Sequence, residues 1–201
     1  MSSAMSLAFQ QLTQLMDEQD YRYRQRGEEE TISADFKTRV AAYHVVMKVE
    51  TEFEMFQIFG YAPVVMPEGA RRAIAEAVTR ANYGLRVGKF ELDMNDGELR
   101  YQVAHILTGG NLDPVVADRC IGTTMAMLDH YFPAMLSIAF GNEPAEEAIM
   151  FAEFGARCSA PDEHEEDSDI SAHLEALFSA DEDDDSADDA DTSADDNQPS
   201  E

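Results

Sequence analysis

Phe90-Glu91-Leu92-Asp93-Met94-Asn95-Asp96-Gly97-Glu98-Leu99-Arg100-Tyr101-Gln102-Val103 reads as a hairpin on its own. Asp-Gly is a favoured two-residue turn because both central positions take positive φ. With Asp96 and Gly97 as that turn, Met94 faces Leu99, Leu92 faces Tyr101 and Phe90 faces Val103. The opposite face then pairs Asp93 with Arg100 and Glu91 with Gln102, so one side is apolar and the other polar. A helix pattern runs directly upstream, from Pro67 to Asn82. Strand, helix and hairpin thus follow one another within a short span.

Outward from the hairpin, the apolar parity changes at Gly88. Leu85 and Val87 have one parity, and Phe90, Leu92 and Met94 the other, which predicts a bulge or kink there. In the upstream helix Ala70, Ile74, Ala77, Val78 and Ala81 form the apolar stripe, and Arg72, Glu76 and Arg80 stack on the solvent side. Pro67 suits a helix start, and Asn82 with Gly84 close it. Before Pro63, the segment Val40 to Tyr61 fits both helical and alternating spacing. Its density of Val, Ile, Phe and Tyr favours strands, with a turn near Glu50-Thr51-Glu52. Earlier still, Ser6 to Gln19 has helical spacing with Ser6 as cap. Tyr21–Arg26 and Ile32–Phe36 alternate as strands around Gly27.

Downstream, Gly109-Gly110-Asn111 breaks the sheet pattern and Asp113-Pro114 starts a long helix to Phe140. Val116, Cys120, Thr123, Met127 and Tyr131 form one stripe, with Ala117, Ile121, Thr124 and Leu128 beside it. Pro133 should kink this helix by removing the bond to the Asp129 carbonyl, and Gly141-Asn142 ends it. Pro144 begins a further helix with Ala148, Ile149, Phe151 and Ala152 as its apolar positions. That gives a domain over residues 1–158 and a tail over 159–201.

Charge divides the chain at the same place. Of its 41 Asp and Glu, 18 fall between Asp162 and Glu201, leaving 23 acids against all 14 bases in the rest. A segment so poor in apolar residues cannot offset its ordering entropy and is expected to be disordered. Within it Ile170, Leu174, Leu177 and Phe178 sit at i, i+4, i+7 and i+8, a short amphipathic stripe at about 169–178. Two roles fit the tail: a solubilising bristle, or a stripe that docks in an apolar groove while its acids meet a basic partner.

Several classes of function lose support. Arg22, Arg24 and Arg26 precede Glu28, Glu29 and Glu30, so no phosphate-neutralising patch is expected and no direct nucleic-acid partner. No apolar run is long enough for a signal peptide or a membrane span, which predicts a cytoplasmic protein without a membrane partner. Cys120 and Cys158 lack metal or redox spacing, and no disulfide is expected. Asp93, Asn95 and Asp96 imitate a calcium loop, but Gly97 comes one position early and Ala104 stands where a bidentate Glu is needed. His164-Glu165-Glu166 lacks the second histidine of a zinc-protease helix. His44, His105 and His130 have no ligand at a familiar offset. Nucleophile-elbow, dinucleotide and phosphate-loop motifs are missing as well, so neither a catalytic residue, a metal nor a cofactor is expected.

Residues 63–141 resemble the YbjN family. The resemblance rests on Pro63 and Pro67, Arg80-Ala81-Asn82, Gly88-Lys89-Phe90-Glu91-Leu92, Asp96-Gly97-Glu98-Leu99, Asp129-His130-Tyr131-Phe132-Pro133 and Gly141. It implies an α+β domain, a twisted antiparallel sheet with helices packed on one face, similar to type III secretion chaperones, and a tendency to homodimerise. It also implies partner binding in stress response or motility regulation rather than turnover, with no catalytic residues to carry over.

Candidate partner-binding residues are Phe53, Phe56 and Phe59, Met127 and Tyr131, and the tail's Ile170, Leu174, Leu177 and Phe178. Apolar residues at both parities of the Phe53–Phe59 segment imply that something covers both faces of that strand. The methionines Met47, Met55, Met94, Met125, Met127 and Met135 lie on predicted apolar faces, where they fill a core or adapt to several partners. The long helix carries more apolar surface than one sheet face needs, which suggests a dimer seam along it or along an adjoining strand. The leading expectation is a non-enzymatic, homodimeric, chaperone-like regulator. The alternative is a small-ligand sensor with a pocket between sheet and long helix lined by Phe90, Tyr101 and Tyr131.

Overall fold

The computed structural model describes residues 5–155. Helix α1 (Leu7–Glu18) leads into strands β1 (Tyr23–Arg26), β2 (Thr31–Lys37), β3 (Ala42–Glu50) and β4 (Met55–Tyr61). Helix α2 (Arg71–Gly84) follows, then β5 (Lys89–Leu92), β6 (Leu99–Ile106), α3 (Pro114–Gly141) and α4 (Ala145–Phe154). The strands form one six-stranded antiparallel sheet in the order β1-β2-β3-β4-β6-β5. It is the α+β architecture expected, with the helices on one sheet face.

Alternation explains which face they take. In β3 the buried residues are Tyr43, Val45, Met47 and Val49, and in β4 they are Phe56 and Ile58. These join Phe90, Leu99, Tyr101 and Val103 under Phe9, Leu12 and Met16 of α1, Ile74, Ala77 and Ala81 of α2, and Ile121, Leu128 and Met135 of α3. At ~25 cal/mol per Å² of apolar surface, such burial is what fixes the register of each strand to the core. The other sheet face carries Val46, Met55, Phe59, Tyr61, Arg100 and Ile106, and no described helix lies on it. The Arg100 guanidinium sits 4.8 Å from the centre of the Phe59 ring. Both parities of β4 are apolar: Phe56 and Ile58 are core, while Met55, Phe59 and Tyr61 are only half-buried on the open face.

The hairpin is present but its register differs. Leu92 pairs with Leu99, Glu91 with Arg100, Phe90 with Tyr101 and Lys89 with Gln102. That is a slip of two residues from the pairing a tight Asp96-Gly97 turn would give. The connection runs from Asp93 to Glu98, closed by Asp93 N–H to the Glu98 carbonyl at 2.9 Å and Gly97 N–H to the Asp93 carbonyl at 2.9 Å. Asp93 Oδ1 accepts from the Asn95 amide at 2.7 Å and Asp96 Oδ1 from Glu98 N–H at 2.8 Å. Because side chains alternate with period two, an even slip leaves every residue on its predicted face. Asp93 and Met94 leave the strand for the loop, and Met94 is exposed rather than core.

Arg71 makes the longer loop possible. Its guanidinium donates to the carbonyls of Met66, Met94, Asn95 and Asp96 at 2.8–3.2 Å. Gly97 lies at φ +86°, and a Cβ there would strike the Met66 carbonyl oxygen. The predicted kink at Gly88 also exists: at φ +73° it leaves room for the Tyr101 hydroxyl, which donates to the Val87 carbonyl. The expected helix from Pro67 begins instead as a 3₁₀ turn, Glu68–Ala70, before α2 proper. Ser6 caps α1 by accepting from Phe9 N–H at 3.3 Å. Asp113 caps α3 through Val115 N–H at 2.8 Å. Helix α3 continues through Pro133 for 28 residues, and Asn142, at φ 54°, takes the left-handed position after Gly141.

Candidate partner-binding surface

Helix α4 places its apolar residues on every side. Ala145, Ala148 and Ile149 turn inward, whereas Met150 (56% exposed), Phe151 and Phe154 (56% exposed) face outward. Beside its three glutamates, α4 therefore carries more apolar surface than its own chain covers. Residues 146, 149, 150, 153 and 154 follow helical spacing along the side that faces α2. Across from them stand Thr79, Arg80 and Tyr83, the last 96% exposed. Between the two helices runs a groove of about 470 Å³.

Its two ends differ chemically. At one, Arg80 is bound to Glu76 at 2.9 Å on its own helix and to Glu146 at 3.2 Å on α4, a polar clamp across the two helices. At the other, Tyr83, Met150 and Phe154 form an apolar mouth. Three exposed large side chains present on the order of 400 Å², within the range of the largest patch on an ordinary monomer and well above scattered single residues.

The floor is tied down from below. Glu153, which lines the groove, accepts from the Tyr131 hydroxyl at 3.1 Å. Burial first, then the charge and hydrogen bond of Glu153, push the Tyr131 phenol up to about 12, so it stays a donor at neutral pH. Consecutive residues of α3 anchor different neighbours. Asp129 accepts from Thr38 Oγ1 at 2.6 Å at the β2–β3 turn. The Tyr131 ring meets Phe90 at 5.4 Å, and Phe132 meets Tyr43 at 5.9 Å. Burial lowers His130, which packs 4.7 Å from the Tyr131 ring.

Asn82 brackets Phe90, donating from Nδ2 to its carbonyl at 3.0 Å and accepting its N–H through Oδ1 at 2.7 Å. A side-chain amide thereby replaces a strand at the free edge of β5, and the arginines Arg24 and Arg26 stand exposed on the other edge strand, β1. Both edges are thereby defended against added strands.

The residues predicted for partner binding are scattered by the structure. Phe56 is core and Tyr131 is buried beneath the groove, so neither can touch a partner directly. Phe59 lies on the open sheet face and Met127 is half-buried on α3. Phe53 is exposed on the 3₁₀ turn Thr51–Phe53, beside an acid-lined hollow with Glu28, Glu29, Glu30 and Glu52. Ile170, Leu174, Leu177 and Phe178 lie outside the described residues, as does Cys158. Phe151, expected inward, is exposed. Phe90, Tyr101 and Tyr131 do not line a ligand pocket: Phe90 meets Tyr101 at 4.9 Å, and the three rings pack edge to face as core. Tyr83, Met150 and Phe154 were missed. For Met150 and Phe154 the signal was the apolar run from Ala148 to Ala152 followed by Phe154, too dense for a helix with one solvent face; Tyr83, on α2, lies outside that run.

Among the described residues no group of three or more His, Cys, Asp and Glu is placed to hold a metal ion. No described helix is long and apolar enough to cross a membrane. Burial pushes the Cys120 thiol up to about 11, so it is not a thiolate at neutral pH.

Residues 8–137 match the family model of YbjN, described as "Putative bacterial sensory transduction regulator", and the chain belongs to that family. Among solved structures it is similar to a crystal structure of YbjN from E. coli, described as a putative transcription regulator. That likeness has 10% identity and a TM-score of 0.49, covering 77% of this chain and 96% of the other. No curated protein matches the chain. The family is described by regulation rather than by a reaction.

Proposed function

We propose that this protein is a non-enzymatic, chaperone-like regulator that binds an apolar helical segment of a partner protein in the groove between α2 and α4. The observation carrying this reading is the exposed mouth formed by Tyr83, Met150 and Phe154, set on a rigid floor by the Tyr131–Glu153 bond. A helix presenting i, i+4 and i+7 apolar anchors fits such a cleft, while the Arg80–Glu146 clamp offers polar contacts at its end. The sensor alternative loses support because its pocket is filled by aromatic rings. Stress response and motility control are the settings the family resemblance suggests for such a regulator.

The test is quantitative affinity capture from the native cell with wild-type and Phe154→Asp baits. The substituted side chain is on the surface, so the fold should be unaffected. Partners of the groove are those that fall at least about tenfold with the variant. An unchanged set of captured proteins, with the variant's melting temperature equal to wild type, overturns the groove.

Homodimerisation belongs to the same proposal, with the open sheet face as the seam. Val46, Phe59 and Ile106 (72% exposed) lie there away from the groove, so a dimer and a bound partner are compatible.

A further inference from the structure

We infer that the groove has an occupant within its own chain: the stripe Ile170, Leu174, Leu177 and Phe178 docks between α2 and α4, competing with partners for the same surface. This rests on the groove being a docking surface, and it adds what regulates access to it.

Connectivity is the first argument. Helix α4 forms one wall of the groove and ends at Phe154, with Gly155 as its cap, so the chain leaves the structure at the apolar mouth. The walls are short: ten residues of α4 rise ~15 Å. Residues 156–169 span up to ~50 Å when extended, at about 3.3–3.6 Å per residue. The stripe therefore reaches any point of the groove.

Chemical match is the second. The stripe's i, i+4, i+7 and i+8 spacing puts four large apolar side chains on one side of a helical turn pair, the form the cleft accepts. Acids flank it at Asp167, Asp169, Asp181 and Glu182, while Arg80, the one base lining the groove, is already paired with Glu76 and Glu146, and Glu153 adds a further acid. Docking is therefore carried by apolar contact and the tether, not by charge. A short helix is unstable alone, but tethering supplies the difference. A short tether gives an effective concentration on the order of 1 mM, so an intrinsic Kd of ~0.1 mM suffices for about nine-tenths occupancy.

A photo-reactive phenylalanine analogue at position 178 of the full-length chain tests this, using an equal mixture of isotopically heavy and light protein. The expected links join position 178 to residues 79–84 or 146–154 within one isotopic form. Their yield should fall at least about tenfold in a Tyr83→Asp, Phe154→Asp background. Links of mixed isotopic form, which mean a second copy fills the groove, overturn the inference. So do links to the Arg24–Arg26 edge, or the lack of any link to the groove. Failure of the groove itself shows separately, as partner capture indifferent to Phe154→Asp.

Discussion

Arg71, Glu30 and Gly97 show single side chains or their absence setting backbone geometry. Arg71 holds four carbonyls at the hairpin loop, so Arg71→Lys, which keeps the charge but loses the fork, should free residues 93–98. Faster amide exchange across that loop and a loss of about 1–2 kcal/mol are the expected readings. Gly97→Ala should cost more, at least ~2 kcal/mol in chemical denaturation, since it adds a clash with the Met66 carbonyl to an unfavourable φ. Glu30 joins α1 to the turn after β3, accepting from Ser6 N–H at 2.5 Å, Ser6 Oγ at 2.9 Å and Thr51 Oγ1 at 2.8 Å. Burial alone would raise its carboxyl, but these bonds hold it below the ordinary glutamate range. A depressed carboxylate contributes stability above its unfolded pKa and loses it as pH falls through the folded one. Glu30→Gln should therefore be less stable than wild type by roughly 1 kcal/mol near pH 7, with the difference closing in acid melts below about pH 4.

Among the elements, α3 buries Ile121, Leu128 and Met135 in one core with α1, α2, α4 and the sheet. Val115 and Phe140 at its ends stay exposed, as do Met150, Phe151 and Phe154 of α4. Its outer residues should tolerate charge without loss of fold: Met150→Asp is expected within about 0.5 kcal/mol of wild type by denaturant melt, while Ile149→Ala, on the buried side, should cost ~2–4 kcal/mol. The hairpin element was legible as strands with correct faces, because alternation is local. Its pairing was not, because the six-residue connection depends on Arg71 from another element.

For the whole molecule, the open sheet face and the groove lie on different sides and should act independently. Light scattering is expected to give twice the chain's 22.4 kDa for wild type and a single chain for Phe59→Asp, with partner capture by the groove retained. A monomeric wild type would remove the sheet face as a seam. The order of elements, the helix caps at Ser6 and Asp113, the stop at Asn142 and the inward faces of the strands were all readable from residue spacing, since they depend on interactions a few positions apart. So was the family, through short motifs such as Asp129-His130-Tyr131-Phe132-Pro133. The groove was not. Whether Tyr83 or Phe154 ends as core or surface depends on how many neighbours the folded layers supply, and α4 runs out of them on its outer side. Likewise Phe56 and Tyr131 carry the same apolar chemistry as Phe154, and only their place beneath other elements turns them into floor rather than contact surface.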